Sequence, residues 1–302
     1  MEINEIKAIL SLLDDPDPEI QGQIRKRIVS EGRAFLPFLD EYVSEQEVNA
    51  EIEALIHDIF RDIQISGLKS EIDAWFADGE HDLIKGALII CRYEYPDIDE
   101  TEVLSFISRV RQDVWLELNE SLTAFEAIIV LNIVFFDEYG FSGNKDDYHK
   151  TENSFINKVI ENKTGNPLLL SILYMSIAQQ LEIPIKGVNL PNHFLVAYMD
   201  EHGTGTELAP EQSAEEEEEE DILFYINPFS RGAILHRAEI DTFLTHLDLR
   251  PEPRFYTPCT HADMIRRMIN NLIHAYRKSG DLDKADELGQ FVNPVPTKAD
   301  DI

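Results

Sequence analysis

Cysteine is scarce. A chain of 302 residues carries only Cys91 and Cys259. Two thiols so far apart make no disulfide framework, and neither sits in a CxxC pair, so a reduced, cytoplasmic setting is expected. Positive charge is scarce as well. Lys and Arg total 26 against 58 Asp and Glu, a formal net charge of -32. Such a surface repels nucleic-acid phosphates and anionic lipid, so neither nucleic acid nor membrane is expected as a partner. Long apolar runs are missing too. The longest, Ala127 to Phe136, is too short for a bilayer and contains Asn132, so it reads as a buried helix. The opening MEINEIKAIL is acidic where a secretory leader would be basic.

Common catalytic texts are also lacking. HExxH, GxxxxGK[ST], GxSxG and GxGxxG do not occur. The 9 histidines are scattered without ligand spacing, so no metal and no cofactor is expected. What the chain does have is 43% hydrophobic residues, enough for a packed core.

Residues 1–65 show apolar positions at helical spacing, with Ile6, Ile9, Leu10 and Leu13 in one stripe and Ile20, Ile24 and Ile28 in another. Asp14-Asp15-Pro16-Asp17-Pro18 breaks the first helix and caps the next. The text resembles one HEAT-type unit, and a plain helical-bundle cap fits equally well. Residues 66–148 also read as helical, closing in a Gly-, Asn- and Asp-rich loop after Gly140. Residues 149–250 change character. Asn153–Ile160 and Pro167–Leu181 read as helices, whereas Val188–Leu190, Phe194–Tyr198 and Leu223–Ile226 read as strands. The fold class is therefore α+β, mostly helical with a small antiparallel sheet. An insertion at 200–221 holds the run Glu215–Glu220, which reads as a disordered, solvated loop. Residues 251–302 return to helices. NLIHAYRKSGDLDKADEL resembles half a tetratricopeptide repeat, with Gly280 ending one helix and Ala285 packing between two. The tail from Asn293 reads as loose.

One constellation suggests chemistry. Gly165-Asn166-Pro167 opens an apolar helix, His193 starts a strand, and Asn227 ends another. A helix N-terminus, a strand histidine and an orienting Asn or Asp is the layout of a papain-type thiol site. The texts YPDID, LNIVFFDEYGFSGN, NSFINKVIENKTGNPLLLSILYMSIAQQLEIPIKGVNLPNHFLVAY and INPFSRG resemble the transglutaminase-like superfamily, specifically its SirB-type bacterial branch. The resemblance implies that His193 is the family histidine and that Asn227 stands for the family aspartate. It also implies that the nucleophilic cysteine belongs where Pro167 stands, and proline has neither thiol nor hydroxyl. Ser171 in the same helix reads as a core residue, and Cys91 as a buried structural thiol. Cys259, close to His261, lies outside the site helix. Asn192, Tyr174 and Tyr198 are candidates for the surface around His193. The expected function is a non-catalytic transglutaminase-like protein, a pseudoenzyme that binds a protein or peptide through its helical flanks or the relic cleft. The alternative is an amide hydrolase or cysteine-peptidase-like enzyme using His193 and Asn227.

Overall fold

The computed structural model describes residues 3–45, 49–78, 82–200 and 222–292. The run Glu215–Glu220 and the tail from Asn293 lie outside the described residues. The chain divides into two units, Met1–Ala77 and Asp78–Ile302.

The first unit is helical: α1 (Ile3–Ser11), α2 (Pro18–Glu31), α3 (Leu36–Glu45) and α4 (Ala50–Ala77). The Asp-Pro text acts as anticipated, with Asp17 accepting from the Glu19 amide at 2.9 Å and Pro18 in the first turn. Gly32 ends α2 at φ +65°, which a side chain would disfavour. Leu13, Ile28, Phe35, Leu39, Ile59 and Ile63 form the core. The boundary expected near residue 65 falls inside α4. Gly67 does not stop that helix, because Ile59, Ile63, Leu68, Ile72 and Trp75 carry one buried stripe across it.

The second unit begins with α5 (Leu83–Cys91), α6 (Glu100–Glu117) and α7 (Ala124–Asn132). A capping box between Thr123 and Glu126 starts α7, and a π-helical turn, Ile133–Glu138, continues it. The wider turn directs Phe135 and Phe136 at Tyr174, with ring centroids 5.5 and 5.9 Å away. There follow β1 (Ser142–Gly143), α8 (Ile156–Asn162), β2 (Thr164–Gly165) and α9 (Pro167–Gln179). Every residue of α9 from Pro167 to Ala178 is buried, as a helix apolar all round must be.

The main sheet runs β3 (Ile185–Leu190), β4 (His193–Met199), β5 (Ile222–Asn227) and β6 (Ala233–Leu235), each strand antiparallel to its neighbour. This is the expected α+β class. Successive side chains alternate between the two faces. Val188, Leu190, Leu195 and Tyr225 share one face with Ile240 and Leu244 of α10 (Arg237–His246). On β4, Phe194 belongs to the other face, where α9 packs and where Met264 of α11 (His261–Ser279) lies. After α11 comes α12 (Leu282–Gly289), entered through Gly280 at φ +88°, with Ala285 and Leu288 buried. Helix α11 also packs on α5, so the C-terminal hairpin belongs to the second unit.

One polar residue ties three elements together. The Asn132 amide oxygen accepts from the Tyr174 hydroxyl at 2.8 Å, and its Nδ2 donates to the Gly232 carbonyl at 3.0 Å. Gly232 has φ +71°, and a Cβ there would lie 2.0 Å from Asn132 Oδ1, so only glycine fits.

Candidate functional site

The proline end of the site is packed shut. Asn166 caps α9 by accepting from the Leu169 amide at 2.8 Å, and its own Nδ2 donates to Ser154 Oγ at 2.8 Å. The Asn166 amide donates to the Asn153 carbonyl, while Asn153 Oδ1 accepts from Asn144 Nδ2 at 3.0 Å. These buried amides fasten the preceding loop to the helix start. Pro167 is buried in the first turn. Ser171 is fully buried and donates its hydroxyl to the Pro167 carbonyl at 2.7 Å, which agrees with its reading as a core residue.

The histidine end is built differently. Pro191 and Asn192 form a two-residue turn between the paired Leu190 and His193. Asn192 takes φ +54°, which asparagine tolerates. The Tyr148 hydroxyl donates to the Asn192 carbonyl at 3.2 Å and steadies the turn. His193 has the strand parity of Leu195, so its ring belongs to the α10 face. It lies 5.8 Å from the Phe243 ring and 6.0 Å from the Phe229 ring.

Burial pushes the His193 pKa down to about 4. The hydrogen bond with the Asn227 amide opposes that shift, and the Arg267 guanidinium adds to it. Arg267 is held in place by donating to the Leu190 carbonyl at 2.8 Å and to Asn189 Oδ1. Asn227 also accepts from the Ser230 amide at 3.2 Å, which fixes its carbonyl oxygen. Beside this pair lies a cavity of about 310 Å³, with apolar walls that include Leu195, Leu235, Ile240 and Phe243, and Glu239 also lines it. The Glu239 carboxylate is exposed and already accepts from the His236 amide at 2.9 Å.

The structure therefore joins His193 to Asn227. It does not add Pro167 to the cavity wall: α9 packs on the sheet face opposite the imidazole. Both thiols are unsuited to attack. Cys91 donates to Asn157 Oδ1 at 3.0 Å, and burial pushes each thiol up to about 12. Cys259 sits beside Gly187 on β3, its amide donating to that carbonyl at 2.8 Å. Of the other candidates, Asn192 forms the adjoining turn, Tyr174 is buried on Asn132, and the Tyr198 ring lies tilted against Phe224. Sequence reading did not single out Tyr148, Phe229, Glu239, Phe243 or Arg267. Their loops and helices carry no spacing that links them to His193. No group of three or more His, Cys, Asp or Glu side chains able to hold a metal occurs among the described residues.

A family profile described as the transglutaminase-like superfamily matches residues 101–270, a span that includes the whole His193–Asn227 arrangement. The chain belongs to the transglutaminase-like superfamily. Among similar proteins is a UPF0162 protein of Xylella fastidiosa (strain 9a5c), 29% identical over 214 residues, 67% of this chain and 68% of that protein. F-box only protein 21 of Homo sapiens is 27% identical over 157 residues, 51% of this chain and 22% of that protein. UPF0162 protein YchA of Escherichia coli (strain K12) is 20% identical over 193 residues, 63% of this chain and 65% of that protein. No solved structure matches. No described helix of this transglutaminase-like chain is long and apolar enough to cross a membrane.

Proposed function

We propose that this transglutaminase-like protein is a non-catalytic, cytoplasmic binding module that takes a protein or peptide, with the cavity beside His193 and Asn227 as one contact site. One observation carries the reading. Pro167, where the resemblance puts the nucleophile, is a buried proline and is not part of the cavity wall that holds His193. Thiol catalysis needs a thiolate within hydrogen-bond reach of its base; Cys91 is buried, Cys259 is half-buried, and desolvation pushes each up to about 12. The SirB-type branch and the tetratricopeptide-like α11–α12 hairpin are part of the same proposal. Gly280 in left-handed geometry and the buried Ala285 and Leu288 support the hairpin reading.

The alternative, an amide hydrolase using His193, has one observation in its favour. The imidazole is hydrogen-bonded to Asn227 on the wall of a cavity. The two readings separate in one experiment. The full chain is panned against a displayed random peptide library, and recovered peptides are incubated with it and analysed by mass spectrometry. Enrichment of intact peptides that is lost in His193→Ala supports the binding module. Peptide cleavage by the parent chain that His193→Ala abolishes would replace it with the hydrolase.

A further inference from the structure

The second unit shows an apolar surface away from the His193 cavity. Among the described residues, six of the nine exposed large hydrophobics belong to α6, α7 and the π turn: Leu104, Trp115, Leu116, Phe125, Ile129 and Ile133. Trp115 is 61% exposed and Leu116 64%. Single exposed apolar residues need no explanation, but six on two consecutive helices and the turn that follows point to an interaction surface.

Helical geometry arranges the cluster. Leu104 and Trp115 lie on one line of α6, three turns apart, and Phe125, Ile129 and Ile133 follow one another at every fourth position. The Phe125 ring lies 6.3 Å from the buried Phe224, which lies 5.1 Å from Tyr198, so the exposed face is anchored on the sheet through β5.

Charge decides what can cover it. From Glu100 to Glu138 the chain carries eight carboxylates and two arginines. Glu102, Glu117, Glu120 and Glu126 are exposed next to the apolar positions. A second copy of this chain would bring the same acids and another net charge of -32. An anionic lipid surface would be repelled for the same reason. A cationic amphipathic helix satisfies both parts of the surface: leucine-like side chains on the stripe, Lys or Arg on the acids.

We propose that the α6–α7 face docks a basic amphipathic helix of a partner protein. The proposal rests on the reading of the chain as a binding protein and names the surface and the chemistry of one partner.

The test is fluorescence anisotropy of the full chain with a fluorescein-labelled 18-residue peptide of Leu and Lys at helical spacing. Saturable binding is expected. It weakens as salt rises, and it falls about tenfold or more in the double variant Trp115→Gln, Phe125→Gln. Both positions are exposed, so circular dichroism and the urea midpoint should be unchanged. Ile129→Lys serves as a second variant should the pair lose its fold. A scrambled peptide of the same composition, and a Leu–Glu peptide, should bind at least about tenfold more weakly. Equal binding of the scrambled peptide, no binding, co-sedimentation with phosphatidylcholine vesicles, or a dimer that the double variant dissociates would each overturn the proposal. Should the helix fail to bind while library panning still enriches His193-dependent peptides, the docking face falls and the cleft reading stands.

Discussion

The two ends of the papain-type constellation meet different physical demands. At the start of α9, Pro167, Leu170 and Ser171 are buried, and the Asn166 and Ser171 side chains bond inside the protein. At the start of β4, His193 is half-buried, bonded to Asn227, and opens onto about 310 Å³ of space. One end is solved as core, the other as a polar wall with room beside it. Packing alone would fill such a space, because interiors approach crystal density. The contrast teaches that the start of α9 is explained by packing alone, whereas a cavity beside a desolvated imidazole needs a separate reason.

The contrast can be broken by mutation, starting where the effect is largest. Leu170→Ala at the packed end should cost about 3–4 kcal/mol of stability in urea unfolding, since nothing nearby can collapse into the gap. A loss below about 1 kcal/mol would mean that this end is not tightly packed. Gly232→Ala should cost roughly 3 kcal/mol, because a β-carbon at positive φ would strike the Asn132 amide and free the buried Tyr174 hydroxyl.

A pH series examines the other end. Burial holds the His193 pKa at about 4, against an ordinary 6.5. The unfolded chain therefore takes up this proton first. The contribution of the neutral imidazole is complete above pH 6.5 and is lost as pH falls from about 6.5 to about 4. Between pH 7 and pH 4.5 the parent chain should lose roughly 2 kcal/mol more than His193→Gln. Equal losses would show that the imidazole is not desolvated. An NMR titration that places it near 6.5 would show the same.

Leu235→Ala, on the cavity wall, should cost only about 1 kcal/mol, because space is already present there. The smallest effect is expected for Pro167→Cys. Cysteine is tolerated at a first helical position, and the new thiol would begin the helix packed on the face opposite His193. Peptide cleavage should stay at the buffer rate and iodoacetamide labelling should be slow. Rapid cleavage by this variant would rejoin the two ends and defeat the contrast.

Much of this architecture was legible in the residues. Apolar periodicity marked α11 and α12, continuous apolar text marked α9, and aromatic and aliphatic runs marked β3, β4 and β5. Asn132, read as a polar residue in a buried helix, proved to bridge α7 to α9 and to the β5–β6 turn. Other parts carried no local signal. The strand β6 is three residues long, and α10 buries only Ile240 and Leu244, so neither shows a period. Asn144, Asn153 and Asn166 look like loop residues until the fold encloses them. His193 and Asn227 were singled out by the helix-and-strand constellation, their family roles were implied by the resemblance, and the two line one cavity. Arg267, Phe243 and Glu239 reach the same place from α10 and α11, and only tertiary structure brings those helices there.

The Asn132 bridge also has a consequence for biosynthesis. Its carbonyl partner, Gly232, lies 100 residues further along the chain. At roughly 5–20 residues per second, the ribosome needs about 5–20 s to make that stretch. Throughout that interval the Asn132 Nδ2 lacks its native partner and must be met by water, which keeps the apolar text around it from burying fully. Closure of this contact belongs among the last steps of folding, and a nascent chain stalled before Gly232 should expose the α7 segment to chaperones and proteases.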